Sequence, residues 1–315
     1  MKGSLRELLE EVGRIIGNTP IVLLRSFSDK ELRVWLKLEY TNPGGSHKDR
    51  AAYYMIKQAF EKGLLRPGSR IVEVSSGNTA ISLAWIGRRL GLEVYIVVDS
   101  RVSPTKVSLL KMLGAKVEIA PLVPPEHPLF KRNIAIAIAR EKSAVFLDQD
   151  SNDANHLAHY ESTCVEIVEQ LGRVSAFVMG VGTGGTITGV GRCLKERMGS
   201  DVKIYGVVPK GSSLDPSVST GRRSYIEGLV GSTKPELYNK YSKYVDELIP
   251  ISEEEALAKL RVLMMNEGIA AGPSTGAAIA AIEKLKNLGK IRGDVVTIAA
   301  DSIVRYPHIL EKLVG

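Results

Sequence analysis

Lys48 lies in the segment Asn42-Pro-Gly-Gly-Ser-His-Lys-Asp-Arg50, where an amphipathic helical pattern begins. A cation is disfavoured there, because the helix macrodipole is positive at the N-terminus. The same dipole, aided by burial, lowers the amine pKa. A lowered pKa suits a lysine that forms a Schiff base with a carbonyl compound. The alternative is a solvated lysine flanked by Asp49 and Arg50.

A second segment, Gly180-Val-Gly-Thr-Gly-Gly-Thr186, follows an apolar run and opens another helical pattern. Glycines permit tight turns and close backbone approach to a ligand. Helix-start N–H groups attract anions, and Thr183 and Thr186 add hydroxyl donors. The G-K-[ST] ending of a triphosphate loop is absent, and so is a dinucleotide fingerprint in its usual N-terminal setting. The segment reads as a cradle for one phosphate or as a close-packed turn. A third turn, Ser75-Ser-Gly-Asn-Thr79, offers hydroxyl, amide and backbone donors through Ser76, Asn78 and Thr79. They suit a carboxylate or a ring oxygen, or they cap a helix and nothing more.

These segments need elements to position them. Near-continuous apolar runs at 33–38, 70–74, 93–98, 116–119, 144–146, 176–179, 203–208 and 295–299 read as strands buried on both faces. Helical patterns cover 48–61, 79–90, 104–113, 129–140, 155–171, 186–197, 253–266 and 274–286. The alternation predicts an α/β fold with mostly parallel sheets. Ligands in such folds sit where strands end and helices start, which is where the three segments fall. The stretch 209–234 is long enough to be a functional loop.

The length of 315 residues accommodates one large or two ordinary domains. Composition is that of a soluble globular protein, 44% hydrophobic and 24% charged. No apolar run approaches the roughly 18 residues of a membrane span, and the N-terminus has no signal-peptide core. Net charge is +7, but the basic residues are dispersed, which favours anionic small ligands over nucleic acid. Cys164 and Cys193 lack metal or redox spacing. They are expected as separate buried thiols in a reducing, cytoplasmic setting. The histidines His127, His156, His159 and His308 form no metal constellation.

Taken together, the motifs resemble the cysteine synthase/cystathionine β-synthase family of fold type II pyridoxal 5′-phosphate (PLP) enzymes, over nearly the whole chain. Ile16-Gly-Asn-Thr-Pro-Ile21 is similar to that family's N-terminal signature, and 42–50 to its lysine motif. The 75–79 turn resembles its substrate loop, and 182–186 its phosphate loop. Gly268-Ile-Ala-Ala-Gly-Pro-Ser-Thr-Gly276 resembles the segment whose serine faces the pyridine nitrogen. The resemblance implies a two-domain, tryptophan synthase β-like fold with helices on both faces of its sheets. It places 44–152 in a smaller mobile domain and 12–43 plus 153–315 in a larger phosphate-binding one. It implies PLP on Lys48, with Asn78 at the ring 3′-oxygen. Gly182, Thr183, Gly184, Gly185 and Thr186 would take the phosphate, and Ser274 the ring nitrogen. Ser75, Ser76, Thr79 and Gln149 would take the substrate carboxylate.

The implied reaction is β-replacement on an O-activated serine, through an α-aminoacrylate, with Lys48 as general base and sulfide as nucleophile. O-acetylserine sulfhydrylase, O-phosphoserine sulfhydrylase and cystathionine β-synthase remain alternatives, with serine/threonine dehydratase more distant. Arg223, in Ser219-Thr-Gly-Arg-Arg-Ser-Tyr-Ile-Glu-Gly228, matches the spacing of an arginine in phosphoserine-using relatives, so O-phosphoserine is the expected donor. Family members are usually homodimers. His47, Ala80 and Asp150 depart from the usual pattern, and the acid at 150 puts sulfide in doubt as the only nucleophile.

Overall fold

The computed structural model describes residues 4–217, 224–231 and 233–314. Among them the strands are β1 (Ile21–Leu23), β2 (Leu32–Leu38), β3 (Arg70–Val74), β4 (Glu93–Asp99), β5 (Lys116–Ala120), β6 (Ala144–Phe146), β7 (Ala176–Gly180), β8 (Lys203–Pro209), β9 (Glu247–Ile251) and β10 (Gly293–Ala299). The chain divides into two units, Met1–Ile16 with Asn42–Asn155 and Gly17–Thr41 with His156–Gly315.

The first unit carries a four-stranded parallel sheet in the order β5-β4-β3-β6. Neighbouring strand residues point to opposite faces, and both faces are apolar. Ile71 and Ile96 pack with Met55, Ile56, Leu83 and Ile86 from the helices Lys48–Glu61 and Asn78–Leu90. Val72 and Val97 pack on the other side with Ala135, from the helix Lys131–Glu141. Residues 12–16, expected with the larger domain, belong here, because Val12 of the helix Leu5–Arg14 packs into the first of these clusters.

The second unit carries a six-stranded sheet, β1-β2-β10-β7-β8-β9, parallel except for the edge pair β1 and β2. Every residue of β7 is buried. Val178 and Val207 face the helices Glu253–Glu267 and Pro273–Asn287, while Phe177, Met179 and Ile204 face Cys164–Leu171 and Gly185–Met198. The mostly parallel α/β architecture with helices on both faces is the one expected. No helix among the described residues is long and apolar enough to cross a membrane.

Two expectations are corrected. The helical pattern at 155–171 is not one helix. It runs as Asp153–Ala158, a π-helical turn His159–Thr163, and Cys164–Leu171. The turn lies tight against Gly189 of the facing helix, where a Cβ would sit 2.3 Å from the His156 carbonyl oxygen and 3.0 Å from Tyr160 N. The cysteines are buried as expected, at 0% and 1% exposure, but they are not separate thiols. Cys164 and Cys193 are joined in a disulfide, their Cα atoms 6.2 Å apart on facing helices. Disulfides are rare in reducing compartments of mesophiles, so the pair no longer argues for one.

Candidate active site

Lys48 is the first residue of its helix. Asp49 beside it is not a solvated partner. Its carboxylate is fully buried and accepts from Gly44 N–H at 2.5 Å, Ser82 Oγ at 2.6 Å and Trp85 Nε1 at 2.9 Å. A Cβ at Gly44 would fall 2.2 Å from Asp49 Oδ1, so only glycine lets the loop close on that carboxylate. This knot fixes the backbone from which Lys48 projects. Lys48 Nζ has no hydrogen-bond or ion-pair partner among the described residues. Desolvation draws its ammonium down to about 8, against the opposing charges of Asp150 and Glu73. His47 is buried, and desolvation, then the charges of Lys48 and Arg50, hold its imidazole well below the usual range.

The 75–79 turn follows β3 and starts the helix Asn78–Leu90, which no side chain caps. Thr79 Oγ1 donates to Gln149 Oε1 at 2.7 Å, and Gln149 Nε2 donates to the Val74 carbonyl at 3.3 Å. Thr79 therefore spends its hydroxyl proton on Gln149. Ser75 Oγ accepts from Gly77 N–H at 3.3 Å, and Ser76 is exposed. The donors that suit a carboxylate are then the Ser75 and Ser76 hydroxyls, the second Nε2–H of Gln149 and the N–H groups of the first helical turn.

Sequence reasoning passed over Glu73. Its side chain is 2% exposed and accepts from the N–H groups of Val74 at 2.8 Å and Gln149 at 3.1 Å. Burial pushes the carboxyl up to about 8 despite those two donors. Asp150 is exposed, and loss of solvent around it raises its carboxyl, an effect that Lys48 opposes. A lone acid in an apolar strand was the available signal for Glu73.

In the second unit, Gly184 caps the helix Gly185–Met198 with φ 94°, in the left-handed region, and no side chain caps that helix. A Cβ on Gly184 would lie 2.6 Å from Tyr238 Cβ, and one on Gly182 would lie 2.7 Å from the Gly228 carbonyl oxygen. Thr183 Oγ1 accepts from Gly185 N–H at 3.4 Å. Thr186 is buried, with Oγ1 3.1 Å from His159 Nε2. The result is a tight cradle of backbone and two threonine hydroxyls at a helix start.

Ser274 is the second residue of the helix Pro273–Asn287, also without a side-chain cap. Its hydroxyl has no partner among the described residues. Asp301 holds this start in place: Gly272 N–H donates to its carbonyl at 2.9 Å, and Tyr306 Oη donates to its carboxylate. A Cβ at Gly272 would fall 2.0 Å from Asp301 Oδ1. Lys48, Ser75, Ser76, Asn78, Thr79 and Gln149 thus belong to the first unit, and 182–186 and Ser274 to the second. Arg223 and Arg222 lie outside the described residues.

The family model described as pyridoxal-phosphate dependent enzyme matches residues 12–301. The chain belongs to that family, with the tryptophan synthase β-like, fold type II architecture. Pyridoxal phosphate is its cofactor. Among curated relatives, a probable cysteine synthase of Bacillus subtilis (strain 168) is 38% identical, over 95% of this chain and 96% of its own. Cystathionine beta-synthase of Apis mellifera is 37% identical over 96% of this chain; the match takes in only 62% of the bee protein. A crystal structure of O-ureido-L-serine synthase superposes with a TM-score of 0.85 at 31% identity, covering 97% of this chain and 93% of that one.

Proposed function

We propose that this chain catalyses PLP-dependent β-replacement on an O-activated serine, with sulfide as nucleophile and L-cysteine as product. The observation that carries the reading is Lys48 Nζ: desolvated, without a partner among the described residues, and mounted on a rigid helix start. The remaining residues carry the groups that such a cofactor needs. An aldehyde needs a weakly basic amine, which Lys48 supplies. A phosphate monoester needs N–H donors and a close backbone, which Gly182, Thr183, Gly184, Gly185 and Thr186 supply. The pyridine nitrogen needs a hydroxyl, which Ser274 supplies, and the ring oxygen an amide, which Asn78 supplies.

When bound, pyridoxal phosphate supplies an electron sink for the substrate α-carbon. The chain supplies orientation and proton handling. Ser75, Ser76, Gln149 and the first turn of Asn78–Leu90 bind the substrate carboxylate, while Thr79, bonded to Gln149, holds that loop in shape. The Lys48 amine takes the α-proton on Nζ and returns it at product release. Ser274, a serine rather than a carboxylate, would leave a pyridine nitrogen held there largely unprotonated, which favours prompt loss of the β-substituent.

The donor reading is O-phosphoserine, supported by the sequence spacing of Arg223, since a phosphate leaving group calls for an arginine fork. The test is cysteine formation from sulfide with O-phosphoserine or O-acetylserine, compared by kcat/KM. Cysteine from neither donor rejects sulfide β-replacement, and pyruvate as the main product makes the chain a dehydratase. A second reading, with a different nucleophile, is favoured by the exposed Asp150, which lies within electrostatic reach of Lys48, and by likeness to a relative named for O-ureido-L-serine. An acid there attracts an amine-bearing nucleophile and repels an anion.

A further inference from the structure

Two buried histidines brace the helix Gly185–Met198 from behind, and their hydrogen bonds differ. His156 and His159 are each 0% exposed, on either side of the start of the π-helical turn. Thr188 Oγ1 lies 2.8 Å from the Gly184 carbonyl oxygen and 2.9 Å from His156 Nδ1. A carbonyl only accepts, so the one Thr188 proton goes to Gly184 and Nδ1 must donate. His156 thereby fixes, through Thr188, the carbonyl of the residue whose left-handed backbone forms the cradle. Its ring stacks on Tyr241, centroids 3.9 Å apart.

His159 meets a threonine at each nitrogen: Nδ1 is 2.8 Å from Thr163 Oγ1, and Nε2 is 3.1 Å from Thr186 Oγ1. Geometry alone allows this chain to run either way. A phosphate monoester decides it, because ionised phosphate oxygens only accept. A Thr186 that donates to phosphate must accept from His159. The chain then runs from Thr163 O–H to Nδ1, and from Nε2–H to Thr186 Oγ1.

We propose that His159 and His156 are positioning residues held in opposite tautomers, Nε2–H and Nδ1–H, which orient the Thr186 hydroxyl and the Gly184 turn toward the phosphate. The proposal rests on the reading that 182–186 holds the cofactor phosphate. Nitrogen-15 spectra of the holoenzyme, assigned with His159→Gln and His156→Asn, read both tautomers directly. A pyrrole-type Nε2 at His159 and a pyrrole-type Nδ1 at His156 are expected. A pyridine-type Nε2 at His159 overturns the relay.

Glutamine keeps an N–H near the Nε2 position, and leucine does not. His159→Leu is expected to weaken cofactor binding roughly tenfold in a spectroscopic titration, while His159→Gln stays within about twofold of the parent. The phosphorus-31 resonance of bound cofactor should shift in the leucine variant only. Equal losses in both variants, or none in leucine, overturn the proposal. Thr186→Val separates the two readings. If it leaves cofactor affinity and the phosphorus signal unchanged, the loop reading fails. If it weakens binding while His159→Leu does not, only the brace fails.

Discussion

Glu73 accepts the backbone N–H of Gln149 at 3.1 Å and ties the end of β3 to the loop that follows β6. Both ends flank the turn proposed to take the substrate carboxylate. The carboxyl is raised from 4.5 to about 8, chiefly by burial. Between those values the folded state keeps a proton that the unfolded chain has released. Stability therefore falls as pH rises through that window and levels off above about 8. Glu73→Gln should flatten this dependence in urea melts across the window. It should also cost about 1 kcal/mol below about pH 4.5, where both side chains are neutral, because an amide cannot accept with both of its heads.

Lys48→Ala should abolish the visible Schiff-base absorbance and lower turnover by at least roughly 10²-fold. In the parent, a neutral Lys48 amine is the reactive form, so the rate of carbonyl capture by cofactor-free protein should climb with pH to a plateau above about 8. Stopped-flow absorbance during cofactor addition measures it.

Gly184→Ala is expected to weaken cofactor binding. The left-handed backbone costs a β-carbon about 1–2 kcal/mol, and the Tyr238 main chain, with Cα 2.7 Å from the new atom, must also move. Equilibrium dialysis against pyridoxal phosphate is the check.

The disulfide should matter for stability. Linking positions 29 residues apart removes about 3–4 kcal/mol of unfolded-state entropy. Cys164→Ala should lower the unfolding free energy by about that amount in guanidinium melts. With both sulfurs buried, thiol reagents should find no free cysteine in the native protein and two after unfolding and reduction.

Arg223→Ala should reduce kcat/KM for O-phosphoserine by roughly 10–100-fold, the worth of a charge-assisted bond, and leave O-acetylserine within about twofold. Unchanged phosphoserine turnover removes this arginine from donor choice.

Much of the framework was legible because parallel strands buried on both faces are uninterrupted apolar runs. β3 and β6 fall where the runs at 70–74 and 144–146 put them. β1 has only three residues and pairs antiparallel at an edge, too short for a pattern. β9 contains Pro250, which argues against a strand unless it lies at an edge, and β9 is an edge. Motif residues such as Lys48 and Ser274 carried chemistry by type and spacing. Glu73 and His159 did not, since their meaning depends on Gln149, 76 residues away, and on Thr186, 27 residues away. The π-helical turn was hidden too, because helical periodicity does not register one extra residue per turn.

The bond between Cys164 and Cys193 closes a covalent ring around 29 residues of chain separation, and β7 and the 182–186 cradle lie wholly inside it. A protease that cuts once within the ring leaves a nicked molecule in a single covalent piece, which travels as intact chain on a non-reducing gel and falls into two fragments only once a thiol is added.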